Sequence, residues 1–196
     1  MRIGVTGGIG SGKSYVCRML ESHFGLPVYD CDREAKRLMH TSPELRRRLQ
    51  ALVGDEAYDA EGRLDRAVMS RYLFADAAHV QAVNGIVHPA VKEDFLEWAE
   101  RQHTDVVMES AILVEAGLRT IVDCLMVVEA PLELRIERAM QRDGATAEQV
   151  EARIRHQMPA EALREYADFV VINDGRDLLP QLQSFINRHS SLSIIQ

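Results

Sequence analysis

The sequence predicts an α/β fold in which helices flank a parallel β-sheet, and two observations support this prediction. Residues 7–14, GGIGSGKS, fit the phosphate-loop pattern G-x-x-x-x-G-K-[ST] and directly follow a short apolar strand pattern. Farther along the chain, short apolar or β-branched runs alternate with segments whose apolar residues recur every three or four positions. Such alternation is typical of parallel strands joined by right-handed helical crossovers.

The predicted strands are short runs that stay apolar on both faces, as expected of strands covered by helices on each side. In chain order they are residues 1–6, 26–30, 105–109, 122–128 and 169–173. The predicted helices carry apolar residues at three- and four-residue intervals. They are residues 15–24, 33–40, 44–53, 66–74, 91–102, 132–142, 147–158 and 179–188.

Signals for the start of a helix occur twice in the first half of the chain. Ser42 followed by Pro43 supplies an N-cap with proline at the first helical position, and His88 followed by Pro89 repeats the pattern. Residues 41–102 contain several helical patterns and no strand pattern. We therefore predict a helical insertion between the second and third strands of the sheet.

Composition limits the classes of function. A chain of 196 residues has room for one sizeable core with small appendages. Its formal net charge of −7 argues against sequence-independent nucleic-acid binding, which requires a basic surface to displace counterions. No apolar stretch approaches the ~20 residues that span a bilayer, and the strand pattern at the first residue leaves no room for a signal segment. We therefore predict a cytoplasmic protein with neither nucleic acid nor membrane as a partner.

The phosphate loop predicts binding of a nucleoside polyphosphate together with Mg²⁺. Its glycines can adopt positive φ and let the backbone approach phosphate oxygens without a Cβ in the way. Lys13 is predicted to reach the β- and γ-phosphates, and the hydroxyl of Ser14 to bind the magnesium ion. The residues predicted to contact the nucleotide in this region are Gly8, Ile9, Gly10, Ser11, Gly12, Lys13, Ser14 and Tyr15.

Two aspartates, Asp30 and Asp32, come at the end of the second predicted strand. Ligands of open parallel sheets bind beyond the carboxyl ends of the strands, which places this pair near the phosphate loop. Two carboxylates there can serve magnesium or take a proton from an attacking hydroxyl. Asp32 also precedes a helical pattern and fits the role of an N-cap, and the two roles can coexist.

A row of arginines lies in the predicted helix 132–142. Arg138 and Arg142 are four residues apart on one helical face, and Arg135 stands one turn earlier. Such a row can fold over phosphates as a lid that adds positive charge to the transferring group and excludes water. The alternative is a solvated face on which arginines pair with neighbouring glutamates. The presence of the phosphate loop favours the lid.

Three further positions have both a functional and a structural interpretation. Glu109 ends the third predicted strand, where it can bind magnesium through water, contact a substrate or be a strand-end acid without function. His88 lies before a proline and fits a structural or capping role as well as a binding role. Asn173 begins a turn signal after the last predicted strand, at a place where a nucleotide base can rest.

Taken in order, these motifs resemble the dephospho-CoA kinase family over about residues 2–186. The matching segments are residues 6–14 for the phosphate loop, 29–32 for a D-x-D segment, 64–66 with Phe74 and His88-Pro89 for the helical substrate domain, 113–115 for an L-x-E stretch, 138–143 for the lid and 173–175 for the segment near the adenine. The phosphate loop alone is shared by many proteins, whereas the ordered set is far more specific. Tyr15 stands where the family commonly has threonine, and Ala111 where it commonly has proline.

The resemblance implies a P-loop kinase core with a five-stranded parallel sheet, formed by residues 1–40, 103–130 and 160–196. It also implies a helical CoA-binding insertion at residues 41–102 and a helical lid at residues 131–159. The implied reaction is an ATP- and Mg²⁺-dependent phosphorylation of the 3′-hydroxyl of the ribose of dephospho-CoA, which gives CoA and ADP.

The motifs and the resemblance together assign roles to individual residues. The predicted catalytic residues are Lys13, Asp32 and Arg142, with Asp32 as the base or as the group that orients the hydroxyl. The predicted magnesium ligands are Ser14 and Asp30. The nucleotide contacts outside the loop are Arg138, Arg142 and Asn173. The predicted substrate contacts are Asp32, Arg66, His88, Glu109 and Leu113.

Two alternative functions fit the same phosphate loop. One is another small-molecule kinase, such as a nucleoside monophosphate kinase or a gluconate kinase. The other is a nucleotide-dependent switch or binding module. A GTP-binding switch normally carries an N-K-x-D base-reading motif, and the sequence has none. The sequence does not indicate an oligomeric state.

Overall fold

The computed structural model describes residues 1–189, and the chain divides into two compact units. The first unit comprises Met1–Asp30 and the chain from Ala99 onward, and the second comprises Cys31–Trp98. Residues 190–196, which the sequence analysis assigned to the core, lie outside the described residues.

The described residues form five strands and nine α-helices. The strands are β1 (Arg2–Thr6), β2 (Val28–Asp30), β3 (Val106–Glu109), β4 (Cys124–Glu129) and β5 (Phe169–Ile172). The helices are α1 (Lys13–Phe24), α2 (Cys31–Thr41), α3 (Pro43–Val53), α4 (Arg66–Ala75), α5 (Ala77–Glu100), α6 (Leu132–Asp143), α7 (Ala147–Arg155), α8 (Ala160–Arg164) and α9 (Leu179–His189). Short 3₁₀ turns lie at Asp55–Ala57 and Leu118–Ile121.

The first unit is built on one five-stranded sheet with the order β2-β3-β1-β4-β5. All four neighbouring pairs are parallel, which confirms the predicted α/β class and the predicted number of strands. β1 lies at the centre, with β3 on one side and β4 on the other. The loop that follows β1 therefore begins at the middle of the carboxyl edge, where ligands of such sheets bind.

Apolar side chains from the sheet and from two helices form the core of the first unit. α1 buries Val16, Met19 and Leu20 on one face, at the three- and four-residue spacing that the sequence showed. α9 buries Leu182 and Phe185 in the same cluster, which also includes inward side chains of β1, β3, β4 and β5. This packing holds the first turn of α1 against the sheet.

The second unit consists of helices, with one isolated antiparallel bridge between Tyr58 and Leu64. The predicted N-cap at Ser42 is confirmed, since its hydroxyl accepts a hydrogen bond from the Leu45 amide at 3.2 Å and Pro43 is the first helical residue. The second unit begins at Cys31, and α2 packs against α3. The CoA-binding insertion at residues 41–102 remains a prediction.

The helix start predicted at His88-Pro89 is wrong. Pro89 lies inside α5, a continuous helix of 24 residues. A proline in a helix removes one backbone hydrogen bond and normally kinks or ends the helix. Here the buried side chains run at four-residue intervals on both sides of the proline, and tertiary burial of this stripe outweighs the local penalty. They are Val83, Val87, Val91 and Phe95.

No helix within residues 1–189 is both long enough and apolar enough to cross a bilayer. The three cysteines, Cys17, Cys31 and Cys124, are all buried and unbonded to one another. The cytoplasmic location and the exclusion of nucleic acid remain predictions.

Candidate active site

The phosphate loop connects β1 to α1 through glycines that adopt backbone conformations other residues rarely reach. Gly10 and Gly12 have φ of 75° and 93°, in the left-handed region, and Gly12 is the N-cap residue of α1. α1 begins at Lys13, so the N–H groups at the start of its first turn lie at the loop. A helix N-terminus with such a loop is suited to bind phosphate.

The side chain of Lys13 lies over the start of the loop. Its Nζ donates hydrogen bonds to the carbonyl oxygens of Gly7 at 2.8 Å and Gly8 at 3.3 Å. The ammonium group is thus held beside the backbone groups that would surround a phosphate. Its contact with the β- and γ-phosphates remains a prediction.

Oxygen ligands suited to magnesium meet at the carboxyl edge of the sheet. The hydroxyl of Ser14 donates a hydrogen bond to Glu109 Oε1 at 2.7 Å. Asp30 pairs in register with Glu109 across β2 and β3, so both carboxylates end neighbouring strands. Within residues 1–189, no cluster of three or more histidine, cysteine, aspartate or glutamate side chains could enclose a metal. Two carboxylates and a hydroxyl fit Mg²⁺, which in kinase sites takes its other ligands from phosphates and water.

Cys17 lies one helical turn beyond Ser14, at the buried side of this cluster. Burial raises the pKa of its thiol well above the ordinary value, and the negative charge of Glu109 raises it further. Cys17 therefore stays protonated beside the carboxylate that accepts the Ser14 hydroxyl.

The arginine that contacts the phosphate loop is Arg135. Its Nε donates to the carbonyl oxygen of Ile9 at 2.9 Å, and burial lowers the pKa of the half-buried guanidinium. A Cβ on Gly8 would collide with the guanidinium of Arg135, and a Cβ on Gly10 would collide with its backbone carbonyl. The two glycines are therefore needed for the close approach of α6, independently of any phosphate.

Asn173, placed just after β5, joins three parts of the first unit. Its side-chain amide donates to the carbonyl oxygen of Ser11 at 2.8 Å, and its backbone amide donates to Glu129 O at 2.7 Å. Arg138 donates to the backbone and side-chain oxygens of Asn173 at 3.2 and 3.3 Å. A Cβ on Gly12 would overlap the amide of Asn173. The structure thus brings Arg138 and Asn173 to the phosphate loop.

Arg142 lies at the opposite end of α6 from Arg135. Its Nε pairs with Asp143 Oδ1 at 2.7 Å, and Arg153 of α7 pairs with the other oxygen of Asp143 at 2.6 Å. Hydrogen bonds from the two arginines hold the pKa of Asp143 well below its ordinary value. Since 60% of the Arg142 side chain is exposed, the structure places it in a surface ion-pair cluster rather than against the loop.

Gln157 is a loop contact that the sequence analysis missed. Its Oε1 accepts a hydrogen bond from the Ile9 amide at 2.7 Å, although the two residues are 148 positions apart. The predicted helix 147–158 ends at Arg155 instead, because the chain turns there and the backbone amide of Met158 reaches Glu115 Oε1 at 3.4 Å. No periodicity or motif identifies such a contact in the sequence.

Two other predicted contacts differ in exposure. Leu113 is fully buried and lies in the core close to Gly4, which does not support the predicted contact with a substrate. Tyr15 is 50% exposed, and the Arg18 guanidinium lies 5.8 Å from the centre of its ring. Tyr15 is thus accessible at the start of α1.

The remaining predicted substrate residues belong to the second unit. Asp32 lies in the first turn of α2. Arg66 is the exposed first residue of α4, after the N-cap Asp65. His88 is half-buried in α5, and burial lowers its pKa. Within the described second unit, no hydrogen bond or ion pair links Arg66 to His88.

Comparison with known proteins agrees with this geometry. The sequence profile described as dephospho-CoA kinase matches residues 1–178. The chain belongs to the dephospho-CoA kinase family. A dephospho-CoA kinase from Bacteroides fragilis is 49% identical over 189 residues, which cover 95% of this chain and 91% of that protein. The resemblance seen in the sequence is thereby confirmed, and membership makes the chain a kinase with ATP as its phosphate donor.

Solved structures show the same fold. A crystal structure from Thermus thermophilus has 36% identity and a TM-score of 0.81, and the match covers 96% of this chain and 97% of that one. The structure of a dephospho-CoA kinase from Campylobacter jejuni has 22% identity and a TM-score of 0.69, with 98% of each chain covered. The latter likeness concerns the fold alone.

Proposed function

We propose that this protein transfers the γ-phosphoryl group of ATP to the 3′-hydroxyl of the ribose of dephospho-CoA, giving CoA and ADP. The observation that carries the proposal is the phosphate loop with Lys13 over it and the Ser14–Glu109 hydrogen bond beside it, in a chain of the dephospho-CoA kinase family. The acceptor is inferred from the family. The phosphate site is inferred from the loop.

The proposed reaction breaks the bond between the γ-phosphorus and the bridging oxygen of ATP and forms a bond to the ribose 3′-oxygen. Phosphoryl transfer depends mainly on positioning and on stabilising charge at the phosphate oxygens. Lys13 and the N–H groups at the start of α1 are proposed to hold the phosphates. Arg138, which already reaches the Asn173 beside the loop, adds positive charge from α6.

Magnesium would be held by Ser14 and Asp30, with Glu109 as a further ligand or as the acceptor that orients the Ser14 hydroxyl. Bound there, the ion would neutralise negative charge on the phosphates of ATP. The 2.7 Å hydrogen bond shows that the Ser14 oxygen and a carboxylate are already close. This contact favours Glu109 as part of the proposed magnesium site over an isolated strand-end acid.

Asp32 is proposed to orient the attacking hydroxyl and to accept its proton. It lies two residues after Asp30, in the first turn of α2. Residues 131–159, which contain α6 and α7, are proposed as the lid, and Arg142 is proposed to act from its tip on the transferring group. The helical unit with Arg66 and His88 is proposed to bind dephospho-CoA.

A coupled assay for ADP with a panel of acceptors tests this proposal. The panel contains dephospho-CoA, nucleoside monophosphates and gluconate, with ATP and Mg²⁺ in each reaction. We expect ADP to form rapidly with dephospho-CoA and only at the slow rate of hydrolysis with the others. Preference for a nucleoside monophosphate or for gluconate would identify a different small-molecule kinase. Slow hydrolysis with every acceptor would indicate a switch.

A further inference from the structure

Ile9 is held at both of its backbone polar groups by side chains from distant parts of the chain. Gln157 Oε1 accepts from the Ile9 amide at 2.7 Å, and Arg135 Nε donates to the Ile9 carbonyl oxygen at 2.9 Å. Both hydrogen bonds are partly buried. Ile9 lies in the middle of the phosphate loop, just before the glycines that precede α1.

The two side chains come from the two ends of the segment 131–159. Arg135 lies in the first turn of α6, and its backbone amide donates to Pro131 O at 3.0 Å. Gln157 follows the end of α7, and its backbone amide donates to Ile154 O at 3.1 Å. Both ends of the proposed lid are therefore attached to the same residue of the phosphate loop.

Neighbouring contacts support both attachments to Ile9. The guanidinium of Arg135 occupies the space that a Cβ on Gly8 would need, so the loop is shaped to receive it. Next to Gln157, the backbone amide of Met158 donates to Glu115 Oε1 at 3.4 Å, which anchors the chain after α7. The contacts on Ile9 are thus supported from both directions and do not depend on the ion-pair cluster at the tip, where Arg142 lies.

We infer that Gln157 is a positioning residue for the phosphate loop, which with Arg135 fixes Ile9 and keeps the N–H groups of the following residues arranged for phosphate. This inference rests on the proposed role of the loop in binding ATP. A backbone segment that is already ordered pays less conformational entropy when the ligand binds. Gln157 therefore contributes to the affinity for ATP and not to the recognition of the acceptor.

The test compares Gln157→Leu, which removes the acceptor oxygen, with Gln157→Glu, which keeps one. Gln183→Leu is the control, because Gln183 lies on the exposed side of α9 and bonds to Asn187 within the same helix. ATP binding is measured by calorimetry without acceptor, and hydrogen exchange is measured for the backbone amides of residues 7–13. Steady-state assays give KM for ATP and for dephospho-CoA.

For Gln157→Leu we expect roughly a 10-fold weaker affinity for ATP, the size expected when one hydrogen bond to a partly buried backbone amide is lost. Exchange in residues 7–13 should become faster, while KM for dephospho-CoA stays unchanged. Gln157→Glu should keep the slow exchange, and the control should match the wild type in every measurement. Wild-type ATP affinity and exchange in a folded Gln157→Leu protein would overturn the inference, and so would a rise confined to KM for dephospho-CoA.

A second variant covers loss of folding. If thermal melts show that Gln157→Leu is unfolded, Gln157→Asn retains the amide but is one methylene shorter, and the same changes are expected. The binding measurements contain no acceptor. An acceptor other than dephospho-CoA would therefore refute the proposed function and leave this inference intact, whereas unchanged ATP binding in folded Gln157→Leu or Gln157→Asn would refute only the inference.

Discussion

Alanine substitutions at Gly8 and Gly10 should destabilise the protein for different reasons. Removing the side chain of Arg135 distinguishes the two causes. At Gly10, φ is 75° and an added Cβ would collide with the backbone carbonyl of Arg135, which cannot move aside. The left-handed backbone costs about 1–2 kcal/mol for a residue with a Cβ, and overpacking adds roughly 1–3 kcal/mol. We therefore expect Gly10→Ala to lower the free energy of unfolding by about 2–5 kcal/mol.

At Gly8 an added Cβ would collide with the guanidinium of Arg135, the far end of a flexible side chain. The arginine can move away, but it then loses its 2.9 Å hydrogen bond to Ile9. A hydrogen bond from a charged group contributes about 1.5–3 kcal/mol, so Gly8→Ala should lower the free energy of unfolding by that amount. In an Arg135→Ala background the loss should disappear, whereas the loss from Gly10→Ala should persist because its collision involves backbone.

The assay is urea denaturation of six proteins in the absence of nucleotide. They are the wild type, Gly8→Ala and Gly10→Ala, each with Arg135 intact and with Arg135→Ala. The coupling energy between positions 8 and 135 should fall in the range of about 0.5–3 kcal/mol that contacting residues show. The coupling between position 10 and the Arg135 side chain should be near zero. An equal loss from Gly8→Ala in both backgrounds would refute the reasoning, because it would show that the glycine is needed for its backbone and not for the approach of α6.

Four further predictions concern the proposed reaction. Lys13→Ala should lower kcat/KM by roughly 10²–10³-fold in steady-state assays, the loss typical of removing one preorganised donor to developing charge; near-normal turnover by the folded variant would show that the loop is not the catalytic phosphate site. Asp32→Asn should keep ATP binding and thermal stability but lose ~10²-fold or more in single-turnover rate, the size expected for a general base. If Asp32→Asn turns over within a few-fold of wild type while Asp30→Asn is folded and inactive, the two aspartates exchange roles. Arg142→Ala should lower kcat more than it raises KM for dephospho-CoA, whereas Arg66→Ala should raise that KM and leave ATP affinity unchanged. If Arg142→Ala changes only KM for dephospho-CoA, Arg142 takes part in substrate binding. If Arg66→Ala weakens only the affinity for ATP, Arg66 takes part in nucleotide binding.

Sequence and structure contributed different parts of the site. Gly10, Gly12, Lys13 and Ser14 were identifiable from the sequence because their chemistry depends on a fixed local spacing after a strand. Arg138 was identifiable from its place in a helical row. The hydrogen-bond partners of Ser14 and Arg138 could not be identified from the sequence. Ser14 bonds to Glu109 and Arg138 bonds to Asn173, and both pairs are far apart in the chain. Gln157 had no signal at all, because a single glutamine after a helix is compatible with many environments.

The sequence by itself determined the α/β class, the phosphate loop, the N-cap at Ser42 and the family, since all of these are carried by local periodicity and by motifs in a fixed order. Only the tertiary structure decided that β1 lies between β3 and β4, that α5 continues through Pro89, and that Ile9 is bound from both ends of the segment 131–159. The physical reason is the same in each case. Burial and long-range hydrogen bonds depend on which distant residues become neighbours, and they outweigh local preferences such as the helix-ending tendency of proline.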